Sequence, residues 1–285
     1  MTTTYLSTGA FNTKHLDELL LEAQEWGVRH IELSAGLKTH RNLSHLSARS
    51  DFHFLVHNYC PPPVRPFVLN LASEDKNTLA LSQQHCKTAV ELCNELKSPW
   101  YSVHAGFAAR VKPEHLGKGI PSSNRTDKAQ AGVIFEDSVG ELCHFASAMG
   151  VEILVENNVV EPQNLVQGRN EMLLLATDTE IIDFFSRMKI TNLNLLLDVG
   201  HANVSCASLG LDRETYFERV APFVKGLHLS SNNGLRDSNQ TFNKDSWVSN
   251  CLKYFEAKYC VIEAYRISKP QYLACLEAIE IGFSS

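Results

Sequence analysis

Eight short apolar runs alternate with segments of helical period along nearly the whole chain, and this alternation limits the fold more than any other feature. The runs are "TYLSTG", "RHIELS", "FHFLVHN", "WYSVHAG", "VEILVENN", "LNLLLDVG", "VKGLHLS" and "YCVIEAY". Each is too short for a buried helix and has the length of a strand. Between them, "HLDELLLEAQEWG", "LALSQQHCKTAVELCNEL", "IFEDSVGELCHFASAMG" and "DTEIIDFFSRM" carry apolar residues three and four apart, as a helix with one buried face requires. Gly27 and Gly150 follow two of these segments where a helix-ending glycine belongs. The least regular helical pattern is "NLSHLSARS", between the second and third runs. Strands alternating with helices predict a parallel sheet, and eight of them predict an α/β fold closed into a (β/α)8 TIM barrel. An open, doubly wound sheet fits less well, because no glycine-rich phosphate turn follows the first run.

At 285 residues with 44% hydrophobic and 20% charged, the chain can bury one large core, so residues 1–285 are read as a single domain. The formal net charge of -6 lacks the positive field that nonspecific nucleic-acid binding needs. Neither a signal peptide nor a bilayer-length apolar segment is evident, so the expectation is a cytoplasmic protein with no membrane partner. The eight cysteines show no CxxC pair and are read as reduced structural thiols. The longest irregular stretch, "GFAARVKPEHLGKGIPSSNRTDKAQAG", is expected to form a loop or lid after the fourth strand.

Glu32, His57, His104, Glu156, Asp198, His228 and Glu263 each stand at or near the end of an apolar run. A single polar residue in such a place is usually a helix cap. Seven in corresponding places are harder to explain that way, because the C-terminal ends of barrel strands converge on one face. Carboxylates gathered there repel one another unless a cation balances them. The oxygen and imidazole mixture suits a divalent ion, Mn2+ or Zn2+ foremost, with Mg2+ or Co2+ as alternatives.

The residues "LVENN" (Glu156), "LLLDVGHAN" (Asp198, His201), "GLHLS" (His228) and "VIEAY" (Glu263), in this order, resemble the xylose isomerase-like TIM barrels, which include sugar isomerases and epimerases, inosose dehydratase and the endonuclease IV group. The resemblance implies Glu156, Asp198, His228 and Glu263 as metal ligands and Glu156 and Glu263 as the acid and base. It implies that His201 contacts a substrate oxygen, and that proton transfer passes through a metal-stabilised enediolate of a sugar, sugar phosphate or polyol. Arg236 and Asn158 complete the expected substrate contacts, and Glu32, ranked below the four ligands, is expected either to contact substrate or to support a ligand from behind.

A second likeness leads toward phosphoester hydrolysis. "LVHNYCPPPVRPFVLNLAS" and "YSVHAGF" resemble the third and fourth strands of the endonuclease IV branch, which makes His57 and His104 candidates for a second metal or for substrate binding. In "LSSNNGLRDSNQTF", however, Asp237 matches that branch while Asn239 stands where its histidine partner would be. A neutral amide is a poor zinc ligand. The expected function is therefore a metal-dependent sugar isomerase or epimerase; the alternatives are an endonuclease IV-like zinc phosphoesterase and a dehydratase or lyase. The expected partner is a small carbohydrate, and self-association into a homo-oligomer is left open. Trp100, Phe54 and Tyr101 are read as packing, and His15, His45, His85 and His144 as surface or helix-face residues.

Overall fold

A computed structural model describes residues 2–38, 43–115 and 119–284. The apolar runs become parallel strands: β1 (Thr3–Ser7), β2 (His30–Leu33), β3 (His53–His57), β4 (Trp100–His104), β5 (Glu152–Glu156), β6 (Leu193–Asp198), β7 (Val224–Leu229) and β8 (Tyr259–Ile262). They pair in chain order, and β8 returns to β1 to close the barrel. The outer layer holds α1 (Leu16–Trp26), α2 (Lys76–Leu96), α3 (Lys128–Ser147), α4 (Asp178–Met188), α5 (Val199–Leu209), α6 (Arg213–Val220), α7 (Trp247–Cys251) and α8 (Lys269–Phe283). Among the described residues, no helix is long and apolar enough to cross a membrane. All eight cysteines are free and buried.

Local chemistry sets the helix boundaries. Asp75, Asp127 and Asp212 accept hydrogen bonds from first-turn backbone N–H groups of α2, α3 and α6, and Thr177 and Glu180 form a reciprocal capping box on α4. Gly27, in the left-handed conformation at φ +83°, ends α1. The inner face of α4 buries Ile181, Phe184 and Phe185, each contributing roughly 1.5–3 kcal/mol of apolar burial.

Two segments depart from the sequence reading. No α-helix forms between β2 and β3 among the described residues; Leu43–Ala48 makes 3-10 turns, with Leu43 and Leu46 both buried. A three-residue apolar spacing matches the three residues per turn of that helix, so both leucines face the core without a longer element. The expected lid is also shorter, because the Asp127 cap starts α3 at Lys128. Its described part is tied down: the Ala108 N–H donates to the Met172 carbonyl, and Ala109 and Ile120 pack with Val160, Met172 and Leu173. Residues 116–118, which belong to the same expected loop, lie outside the described residues.

Inside the barrel, side chains two apart on a strand occupy successive layers of one face. The lower layer is apolar and aromatic: Tyr5, Leu55, Leu154, Leu196, Tyr259 and Val261 cluster there, and Trp100 stacks on Tyr259 at 4.7 Å between ring centroids. Two residues further along, Leu55 gives way to His57, Leu154 to Glu156, Leu196 to Asp198 and Val261 to Glu263. An oil-filled layer thus floors an ionisable one. Gly226 sits opposite Tyr259, where an added Cβ would stand 2.4 Å from the ring. Gly226→Ala is therefore expected to destabilise the fold by about 1–3 kcal/mol through overpacking, measured by denaturant melts. In a Tyr259→Leu background the same change should cost much less, and an equal cost in both backgrounds would show that ring contact is not the cause.

Candidate metal centre

β6 runs into α5 without a loop, and this junction positions Asp198. Its backbone ends the strand while its Oδ1 caps the helix by accepting the His201 N–H at 2.8 Å. That leaves Oδ2 buried, with no hydrogen bond, on the barrel's inner face. Asn157, at the end of β5, fixes the junction from the side: its Oδ1 accepts the Asp198 N–H at 2.8 Å and its Nδ2 donates to the Asp198 carbonyl at 3.1 Å. Gly200 is needed for close approach, since a Cβ there would stand 2.7 Å from Ser230 Oγ.

Four strand ends meet around this point. Glu156, Asp198, His228 and Glu263 each offer a ligand atom, all within 4.8 Å of one another and all from buried residues. His228 Nδ1 lies 2.9 Å from Glu263 Oε2 and 3.3 Å from Glu156 Oε1. Both Glu156 oxygens, Asp198 Oδ2 and His228 Nδ1 are buried without a hydrogen-bond partner. Orphaned carboxylate oxygens facing an imidazole nitrogen in a buried cluster are what a divalent ion would satisfy, so the donor set fits one.

His57 and His104 approach Glu156 from the other side, with Nε2 atoms 3.6 and 3.2 Å from its Oε2. These three residues also form a group with ligand atoms within 4.8 Å. Ser102, two residues before His104 on β4 and therefore on the same face, meets His57 Nδ1 at 3.0 Å. His201 donates from Nδ1 to the Asn157 carbonyl at 2.8 Å, and its Nε2 lies 3.3 Å from Asp237 Oδ2 and 3.6 Å from Asp198 Oδ2.

The electrostatics follow from this crowding. Burial alone would raise the Glu156 carboxyl, but His104, His228 and His57 hold it well below the ordinary range. Burial opposes charge on His228, yet Glu32, Glu263 and Glu156 lift it well above the usual imidazole value. Asp198 is pushed up by burial and by the Asp237, Glu263 and Glu156 carboxylates, against the pull of His201. His104 is lowered, chiefly by burial, despite Glu156.

Glu32, Asn158 and Arg236 do not line the cavity that opens beside the cluster. Glu32 is fully buried, and its Oε2 meets His228 Nε2 at 3.1 Å; it sits behind the histidine, because β2 brings it to the inner face below the strand tips. The Asn158 amide donates to the carbonyls of Ala105, Gly106 and Leu174, bracing the loops after β4 and β5. Arg236 is exposed and does not line the cavity that opens beside the cluster. That cavity, of about 590 Å³, includes His57, His104 and Glu263 in its wall, with Lys14, Tyr265 and Arg266 from the loops after β1 and β8. The sequence reading missed these last three. Their signal was position after a barrel strand, masked by their distance apart in the chain. His85, read as a surface or helix-face residue, is instead buried with Nε2 3.1 Å from the Asn58 carbonyl.

Comparison with solved structures finds the same fold in proteins that include sugar epimerases. A D-tagatose 3-epimerase-like protein superposes with a TM-score of 0.73, at 18% identity over 99% of both chains. A D-psicose 3-epimerase from Clostridium cellulolyticum H10, solved with D-tagatose, gives 0.67 at 13% identity over 99% of this chain and 98% of its own. The TTHB071 protein from Thermus thermophilus, soaked with ZnCl2, gives 0.62 at 18% identity over 99% and 98%. These likenesses are of fold. No curated protein sequence matches the chain. The family model for the xylose isomerase-like TIM barrel matches residues 20–253, and the chain belongs to that family.

Proposed function

We propose that this protein is a metal-dependent isomerase or epimerase of a small carbohydrate. The observation that carries the reading is the placement of two buried carboxylates, Glu156 and Glu263, on the same nitrogen of His228, with Asp198 in the same group. The sugar epimerases among the structural neighbours support it. Glu156, Asp198, His228 and Glu263 would hold the ion, with Mn2+ or Zn2+ the best fit to the donors and Mg2+ or Co2+ the alternatives. When bound, a divalent cation there polarises neighbouring carbonyl and hydroxyl oxygens and stabilises negative charge on them.

The chain's own residues supply the rest. Glu263 lines the cavity and Glu156 carries two unpartnered oxygens, so these carboxylates remove a proton beside a carbonyl and return one to the substrate. Return to the opposite face of the same carbon is epimerisation; return to the neighbouring carbon is isomerisation. The Asn157 carbonyl holds the Nδ1 proton of His201, and Nε2, 3.3 Å from Asp237 Oδ2, would meet a substrate oxygen in place of that carboxylate. Glu32 fixes the His228 ring from behind, in the carboxylate–histidine arrangement that orients metal-binding imidazoles. A dehydratase or lyase would begin with the same proton abstraction.

The His57, His104 and Glu156 group favours a second reading, a two-metal phosphoesterase of the endonuclease IV type. Metal content separates the two. One ion per chain, lost or weakened in Glu263→Gln, is expected, together with solvent-deuterium incorporation into a ketose. Glu156→Gln and Glu263→Gln should each reduce that exchange by about 10²–10⁴-fold with the circular dichroism spectrum intact. Full exchange in either variant would overturn the acid–base assignment, and two zinc ions per chain with cleavage of abasic DNA would favour the second reading.

The raised pKa of His228 gives the metal-free protein a proton that a cation must displace. Affinity should therefore rise with pH up to the folded pKa of His228, and binding near pH 7 should release a proton. Glu32→Gln removes the first carboxylate supporting that proton, so it should release fewer protons and weaken metal binding by about 10–100-fold, measured calorimetrically in buffers of different ionisation enthalpy. Unchanged affinity and proton release would rule out the positioning role.

A further inference from the structure

The cavity beside the cluster is lined by Glu263, His57 and His104 and also by two cations, Lys14 and Arg266, that have no part in the chemistry above. Lys14 follows β1 and Arg266 follows β8, strands that are neighbours only because the barrel closes. Both side chains are exposed, and neither makes an ion pair or a side-chain hydrogen bond among the described residues. The Lys14 ammonium lies over Gly36, 3.9 Å from where a Cβ would stand; the glycine, at φ +89°, leaves that space open.

The backbone holds both residues in place. The Lys14 carbonyl accepts the Lys38 N–H at 2.8 Å, which ties the loop after β1 to the loop after β2. Arg266 has a left-handed backbone at φ +53°, a conformation costly for a residue with a side chain. It is kept there by a ladder: the Tyr265, Arg266 and Ile267 N–H groups donate to the carbonyls of Asn239, Gly9 and Ala10. The ladder therefore fixes the backbone from which the Arg266 side chain reaches the wall of a cavity that Glu263 also lines.

Resting on the isomerase reading, we propose that the substrate carries an anionic group, phosphate or carboxylate, which Lys14 and Arg266 hold on the cavity wall. Glu32, Glu156, Asp198, Asp237 and Glu263 make the cluster end of the site rich in carboxylates, which disfavours a free-floating anion there. Two cations lining the same cavity reverse that bias and orient the substrate. The anion sits against the arginine fork and the ammonium, and the uncharged carbonyl end faces Glu263. Tyr265, 53% exposed beside Arg266, offers a ring face to the carbon chain between them.

The test separates this proposal from the isomerase reading, because anion binding needs no turnover. Inorganic phosphate, titrated into the metal-loaded protein and followed by 31P NMR, should bind, and Lys14→Ala and Arg266→Gly should each weaken it about tenfold. Arg266→Gly also relieves the left-handed strain, so it should melt at a higher temperature than the parent while binding phosphate less well. In deuterium exchange, a ketose phosphate or a keto-uronate should have a lower KM than the matching neutral ketose, and the better of the two identifies the anion. Both substitutions should raise KM for the charged sugar more than for the neutral one. Phosphate binding that is absent or insensitive to both substitutions would overturn the proposal, as would equal KM values for charged and neutral ketoses, which would leave the isomerase reading standing. Phosphate binding that depends on both residues, with no exchange on any sugar, would support the anion site and count against the isomerase reading instead.

Discussion

His228 holds the top of the barrel together electrostatically. Its ring is fully buried, with Glu32 on one nitrogen and Glu156 and Glu263 on the other. Removing so many charges from water is expensive, and an imidazolium between carboxylates offsets only part of the cost. Asp198, without a hydrogen bond on Oδ2, shows that protein atoms alone do not satisfy the cluster. Such a cost is what a donor set prepared in advance for a cation would carry, which is the reading proposed above.

Closure of the sheet makes the crowding possible. A parallel strand alternates its side chains between two faces, and in a closed barrel one of those faces points to a common axis. Leu154 and Leu196 fill the lower layer, so Glu156 and Asp198, two residues on, have no choice but to meet above it. Gly226 lets the Tyr259 ring lie across that floor, within the apolar layer beneath the charges. The β6–α5 junction adds the last constraint, since Asp198 caps a helix with one oxygen and presents the other to the cluster.

Much of this is legible from residue spacing. The strand runs and their polar termini, the long helices and the crowding of Glu156, Asp198, His228 and Glu263 follow from periodicity and from the rule that barrel strand ends converge. The boundary of α3 does not, because a helix begins at its cap, and Asp127 lies among loop-like residues. The turn at Leu43–Ala48 is also hidden, since two leucines three apart are compatible with either helix type. Local pattern does not separate substrate contacts from supports: only the folded chain shows that Glu32 meets His228, that Asn158 braces loop carbonyls and that Arg236 is exposed.

The sequence by itself determined the order of strands and helices and the residue type at each strand end, because those depend on neighbours a few positions away. Only the tertiary structure decided which partners those residues have. Glu32 reaches His228 from another strand of the barrel, and Lys14 and Arg266 line one cavity because β1 pairs with β8. Both arrangements join residues far apart in the chain, and local pattern carries no information about which side chains will share a wall once the sheet has closed.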